Sequence, residues 1–190
     1  IGVVITFTAL AGLAVAGGPR LSALQFVVLS LAVLVSSAFA GAFNQYYEYD
    51  IDPLMSRTKR RAFAGGGFQR SPAWLWAIGA LLVLSVGSAW LALNAWAALY
   101  VFLGAFFYAV VYTVWLKRRT WLNIVVGGLA GSWAVLAGAA AADPHIGAVP
   151  LALAFGAFLW TPPHFWSLAI AFRDDYAAAG SWDAALSAGK

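Results

Sequence analysis

Residues 43–61 read FNQYYEYDIDPLMSRTKRR, three acids and four bases gathered at the mouth of a hydrophobic segment in a chain with little other charge. On a helix running from Leu24 to Asp52, the residues Asn44, Glu48 and Asp52 fall at i, i+4 and i+8, positions that lie one above another on a single face. An amide and two carboxylates in that register form a ladder of oxygen donors. Carboxylates this close repel, and one must hold a proton unless a cation neutralises them. A hard divalent ion such as Mg²⁺ suits an oxygen-only set, because it keeps some of its waters and bridges to substrate phosphates. Pro53 lacks an amide hydrogen and disfavours helical geometry at Asp52, so the helix is expected to end there. Arg57, Lys59, Arg60 and Arg61 follow at once, suited to holding the phosphates that such a metal would bridge.

Outside this stretch the composition decides the class. The chain is 63% hydrophobic and 9% charged, where an average soluble domain is roughly 25% charged. Several almost uncharged runs reach about 20 residues, the length that crosses a bilayer as a helix. The reading is an all-α integral membrane protein; the runs are continuously apolar and do not alternate, which argues against a β-barrel. With no cysteine, disulfides, thiolate metal sites and a cysteine nucleophile are excluded. The chain opens on Ile1 inside an apolar run, with neither a starting Met nor a basic flank. The expectation is one transmembrane domain over 1–190, cut from something longer at both ends and without a cleavable signal peptide.

Six hydrophobic helices are expected, at about Ile1–Ala16, Leu24–Phe43, Ala73–Leu93, Ala95–Leu116, Trp121–Ala142 and Val149–Phe172. Gly17-Gly18-Pro19 and Asp143-Pro144 read as turns between them, and Asn94 makes the third and fourth a tight hairpin. Alternating the helices across the membrane puts ten of the eleven Lys and Arg residues on one side, with only Arg20 on the other. The positive-inside rule assigns that side to the cytoplasm or matrix, so the +4 charge reports orientation and not nucleic-acid binding. Glu48, Asp50, Asp52, Asp174 and Asp175 share the basic side while Asp143 does not. Anchoring explains the bases but gives no reason to gather acids with them. A polyanion held through metal explains both. Most of the tryptophans fit an aromatic interfacial belt, whereas Trp133 falls in mid-helix.

Two further stretches carry chemistry. Residues 112–131 read YTVWLKRRTWLNIVVGGLAG. Lys117, Arg118 and Arg119 read alone as a stop-transfer anchor, Asn123 is an amide inside the next helix that must find a partner or line a cavity, and Gly127 with Gly131 permits close helix packing. Residues 159–180 read LWTPPHFWSLAIAFRDDYAAAG. Adjacent prolines are expected to break the span, which is tolerated only where protein or water covers the backbone. His164 beside that break is a candidate to ligate or hydrogen-bond a substrate. Asp174 and Asp175 mark a helix exit or, opposite the first ladder, a second metal site.

Together the stretches 44–61, 112–131 and 158–180 resemble the UbiA superfamily of membrane prenyltransferases, and within it the protohaem IX farnesyltransferase (haem O synthase) branch. TPPHFW followed by DDYAAAG is the most specific part, and the likeness runs to Gly180. The resemblance implies a bundle of nine transmembrane helices, about six of them present here, around a cavity open to the cytoplasm or matrix of a bacterial or mitochondrial inner membrane. It implies Mg²⁺ and two substrates, farnesyl diphosphate and haem b, with the donor alkylating a haem vinyl group and water completing haem O. By that resemblance Asn44, Glu48 and Asp52 hold metal together with Asp174 and Asp175. Lys117 and His164 act in catalysis, and Asp50, Arg57, Lys59, Arg61, Arg118, Asn123 and Tyr176 bind substrate. Haem A synthase and haem-copper oxidase assembly proteins are the partner classes implied, with the lipid bilayer. The chain departs from the family pattern at Glu48, where Asp is usual, at Ala62, at Ser132-Trp133-Ala134 and after Gly180. Two other readings stay open: a prenyltransferase of the same superfamily acting on an aromatic or quinone precursor, against which TPPHFW argues, and a non-catalytic multispan protein.

Overall fold

A computed structural model describes residues 1–171 apart from 57, 118 and 121, and among these every regular element is helical. The elements are α1 (Gly2–Val15), α2 (Ala23–Tyr47), a 3₁₀ turn at Asp52–Leu54, α3 (Pro72–Ala92), α4 (Ala95–Phe106), a π-helical segment Phe107–Leu116, α5 (Asn123–Gly127), α6 (Leu129–Ala142) and α7 (Ala148–Ala171). They form six rods, because the π-helical segment prolongs α4 and α5 runs on into α6. Among the described residues four stretches are long and apolar enough to cross a membrane: Ala23–Tyr47, Pro72–Ala92, Ala95–Leu116 and Asn123–Ala142.

Local chemistry sets the helix ends. Ser22 opens α2 with a reciprocal cap: its hydroxyl accepts from the Gln25 amide at 3.3 Å while its own amide donates to Gln25 Oε1 at 3.0 Å. Gln25 also reaches the last turn of α3, donating to the Ala92 carbonyl at 3.2 Å. Asn94 makes the expected α3–α4 hairpin. Its Oδ1 caps α4 by accepting from Ala97 N at 2.9 Å, and its Nδ2 donates to the Ala140 carbonyl of α6 at 2.7 Å. One end of the bundle is therefore tied across α2, α3, α4 and α6. That leaves the α2–α3 loop and the α4–α5 connection together at the other end.

The core between the helices is built mainly from small residues, with Ala9, Ala97, Ala137 and Ala140 buried around Leu29, Val33 and Val101. Lipid is as apolar as a leucine, so close backbone packing takes over the role that hydrophobic exclusion plays in water. The α1–α6 crossing shows it most directly. A methyl group at Gly12 would overlap the Val135 carbonyl, and one at Gly138 the Ala9 carbonyl.

Three boundaries differ from the sequence expectation. Helix α2 ends at Tyr47, with Glu48 as its C-cap, so the chain turns before Pro53. The Asp52 amide still donates to the Glu48 carbonyl at 2.9 Å, which carries the helical rise one further step. The prolines Pro162 and Pro163 do not interrupt α7, which is helical on both sides of them. Thr161 donates its hydroxyl to the Ala157 carbonyl at 3.0 Å in that turn. The fifth expected helix is split at Gly128, whose Cα faces Thr161 so closely that a methyl group would sit 3.0 Å from its Cβ.

Candidate active site

The charged end of the bundle is built from the last turn of α2 outward. Asn44, on α2, and Glu48, its C-cap, are one turn apart, and Asn44 Nδ2 donates to Glu48 Oε2 at 2.9 Å. The 3₁₀ turn folds Asp52 back beside them. Asn44, Glu48 and Asp52 are 4%, 2% and 2% exposed, which makes two carboxylates almost entirely removed from bulk water. Such burial is tolerated only with counter-charges at hand. Lys117, immediately after the π-helical segment, places its Nζ 2.7 Å from both Glu48 oxygens. Arg61 brings Nη1 to 2.9 and 3.1 Å from the two Asp52 oxygens and 3.3 Å from Asn44 Oδ1. Burial pushes the Asp52 carboxyl above the usual carboxylate range; the Arg61 guanidinium opposes this, Glu48 adds to it and Lys117 opposes it.

Two threonines complete the frame. Thr113 accepts from Asn44 Nδ2 at 3.3 Å and donates to the Tyr108 carbonyl at 2.9 Å, a five-residue step set by the π-helical winding. Thr58 donates to the Asp52 carbonyl at 2.9 Å and pins the turn. The loop beyond is held by aromatic packing of Phe63 and Phe68 on Trp74 and by Arg70, whose guanidinium lies 4.7 Å from the Tyr46 ring and 4.3 Å from that of Tyr49.

This cluster forms the polar end of a cavity of about 1360 Å³ whose walls are otherwise mostly apolar. Tyr108 and Tyr112 stand next to the charges, with ring centroids 5.4 Å apart, and Lys117 Nζ lies 5.6 Å from the Tyr112 ring. Gly127 lets that ring in, since a methyl group there would come within 2.7 Å of Tyr112 Cδ2. Small residues Gly104, Gly131 and Ala137 keep the cavity deep, and Trp160, Thr161, His164 and Phe165 of α7 line its side. His164 is exposed and stacked on Trp160, with centroids 6.2 Å apart.

The family model of the UbiA prenyltransferases matches residues 5–183. The chain belongs to the UbiA prenyltransferase family. It is 57% identical over 180 residues to protoheme IX farnesyltransferase 2 of Paramagnetospirillum magneticum, covering 95% of this chain and 62% of that protein. It is also 46% identical over 176 residues to the protoheme IX farnesyltransferase of Gluconacetobacter diazotrophicus, covering 93% of this chain and 55% of that one. The chain thus spans about 62% or less of the length of these relatives. Among solved structures, a UbiA homolog from Archaeoglobus fulgidus bound to DMAPP and Mg²⁺ superposes with a TM-score of 0.78 at 22% identity, over 93% of this chain and 62% of that one. The apo UbiA homolog from Aeropyrum pernix K1 gives 0.76 at 23% identity, over 94% and 66%. Fold and membrane character follow: this is an integral membrane protein with a UbiA-type helical bundle.

Of the residues singled out in the sequence, Asn44, Glu48, Asp52, Arg61 and Lys117 meet at one point, and His164 borders the same cavity. Asp50 and Lys59 lie on the exposed rim. Asn123 is 1% exposed, its amide atoms pair with no described residue, and its neighbour Ile124 is the one that lines the cavity. Arg57, Arg118, Asp174, Asp175 and Tyr176 lie outside the described residues. Among the described residues no three His, Asp or Glu side chains converge as a metal site, so the donors here are two carboxylates and one amide. Thr58 and Thr113 carried no warning in the sequence. Thr113 lies four residues before Lys117, a spacing whose meaning depends on the π-helical turn between them.

Proposed function

We propose that this protein is a Mg²⁺-dependent prenyltransferase that transfers the farnesyl group of farnesyl diphosphate to a vinyl group of haem b, giving haem O. The observation that carries the reading is the placement of a neutralised amide–carboxylate ladder at the polar end of a large apolar cavity. Glu48, Asp52 and Asn44 Oδ1 fit a hard divalent ion, since all are oxygen donors and the two carboxylates are 2% exposed. Mg²⁺ bound there would offset the charge that builds on the diphosphate as it leaves.

The chain's own groups supply the rest. Lys117 and Arg61 are cations beside the ladder and can take the non-bridging diphosphate oxygens. Heterolysis of the allylic C1–O bond sends the electron pair to diphosphate and leaves an allylic cation. The Tyr108 and Tyr112 rings line the cavity beside the charged cluster, and their faces would attract that positive charge. The apolar walls keep water out until the vinyl carbon attacks C1. Water then adds at the cationic carbon next to the porphyrin and loses a proton, which balances the hydroxyethylfarnesyl product. Haem as acceptor is supported by the names of the relatives and by His164, Trp160 and Phe165 on one wall. The ladder faces the cytoplasm or matrix by the distribution of Lys and Arg.

The test is a double substitution series scored on product. His164→Ala should lower haem O formation mainly through weaker haem affinity, whereas Glu48→Gln should lower the rate at saturating haem. Equal effects of both on haem affinity would argue against the assigned roles.

A further inference from the structure

Every donor oxygen of the ladder is already in contact with a cation of the chain itself. Both Glu48 oxygens are 2.7 Å from Lys117 Nζ, and Arg61 Nη1 contacts both Asp52 oxygens and Asn44 Oδ1 at 2.9 to 3.3 Å. Among the described residues, the two carboxylates and two cations of this cluster balance when all are ionised. A divalent ion entering alone would bring two positive charges against Lys117 and Arg61 in a site screened far less than bulk water. An ion entering with a diphosphate brings a net negative charge and gives both side chains a new acceptor. Their exposure leaves room for the transfer: the side chains of Arg61 and Lys117 are 28% and 29% exposed while those of Glu48 and Asp52 are at 2% and 3%. Lys117 Nζ also lies 5.6 Å from the Tyr112 ring, whose face attracts the cation.

We propose that Lys117 and Arg61 are internal counter-ions that surrender Glu48 and Asp52 to a divalent cation only when it arrives with a diphosphate, so that the two bind as one unit. The proposal rests on the donor-site reading above and adds an order to it. The site stays closed to free metal and to free diphosphate alike, and the exchange of partners makes each ligand the condition for the other. Lys117 is then a gate on metal entry as well as an anion anchor. By linkage, the factor by which diphosphate strengthens metal binding equals the factor by which metal strengthens diphosphate binding.

The experiment uses Mn²⁺ and inorganic pyrophosphate as probes. The protein in lipid nanodiscs is titrated with Mn²⁺ alone and with preformed Mn²⁺–pyrophosphate, and the free ion is followed by electron paramagnetic resonance. The same is done for Lys117→Met and Lys117→Arg. The wild type should prefer the complex over free Mn²⁺ by about tenfold or more. Lys117→Met should bind free Mn²⁺ at least about tenfold more tightly than wild type while losing affinity for the complex, and Lys117→Arg should restore the wild-type order. If Lys117 only anchored phosphate, free Mn²⁺ affinity would not move in Lys117→Met, and that result would overturn the proposal while the donor-site reading stood. If neither probe bound any form, the proposal and the donor-site reading would fall together.

Discussion

Replacing Asp52 by Asn separates what the fold needs from what the chemistry needs. The substitution keeps the shape and removes one charge from a side chain that is 2% exposed. Two effects on stability oppose each other. The charge-assisted hydrogen bonds from Arg61 at 2.9 and 3.1 Å are worth about 1.5–3 kcal/mol, and an amide oxygen keeps part of that. Against it stands the cost of dehydrating a carboxylate, several kcal/mol before compensation, together with repulsion from Glu48. The direction in which Asp52 titrates decides between them. Its pKa is raised, chiefly by burial, so the folded protein favours the neutral form more than the unfolded chain does. The sign follows from linkage: Asp52 supports folding fully below the ordinary carboxylate range, and that support fades as pH rises through the window up to its raised value. Asparagine, always neutral, avoids the loss. At neutral pH the variant should match the wild type within about 1 kcal/mol, or exceed it, a change of under about 4 °C in Tm. Turnover should fall by about 10²-fold or more, the scale of removing one group that stabilises transition-state charge. Thermal unfolding in micelles and haem O production on the same preparation supply both numbers. A variant that loses about 2 kcal/mol or more of stability, or that keeps wild-type turnover, would refute the reasoning.

Further substitutions probe the scaffold. Asn94→Ala removes both the cap of α4 and the bond to the Ala140 carbonyl and should cost about 1–2 kcal/mol in unfolding experiments. Gly138→Val forces side-chain carbons into the Ala9 carbonyl; about 1–3 kcal/mol of destabilisation is expected, with α1 more open to proteolysis. Thr113→Val removes the hydroxyl that joins Asn44 to the Tyr108 carbonyl and should cost about 1 kcal/mol of stability. Because Asn44 loses its outer support, turnover should drop about tenfold, equivalent to about 1.4 kcal/mol in the barrier.

The rods of the bundle were legible because apolar runs of membrane-spanning length leave few alternatives, and the hairpin at Asn94 because a single polar residue separates two such runs. The ladder was legible in its residues but not in its backbone. Spacing alone placed Asn44, Glu48 and Asp52 on one helical face, while the chain leaves α2 at Glu48 and reaches the same arrangement through a 3₁₀ turn. Three residues per turn and 3.6 differ little over one turn, so the side chains converge either way. The pairing of Lys117 with Glu48, 69 residues apart, could be guessed from charge but not assigned over Arg118 or Arg119. It depends on the π-helical winding from Phe107 to Leu116, which has no sequence signature. The continuity of α7 through Pro162 and Pro163 was hidden for a related reason, because whether a lost backbone bond breaks a helix depends on the neighbours packed around it.

The central claim is metal-dependent prenyl transfer to haem at the Asn44–Glu48–Asp52 cluster. Its most direct test supplies membranes containing this protein with haem b, farnesyl diphosphate and Mg²⁺, and reads haem O by mass spectrometry beside a chelated control. Product should form only with the metal, and at a rate lower by about 10²-fold or more from Asp52→Asn. Product formation that survives chelation, or none from folded protein under conditions in which the Paramagnetospirillum protoheme IX farnesyltransferase makes it, would contradict the claim.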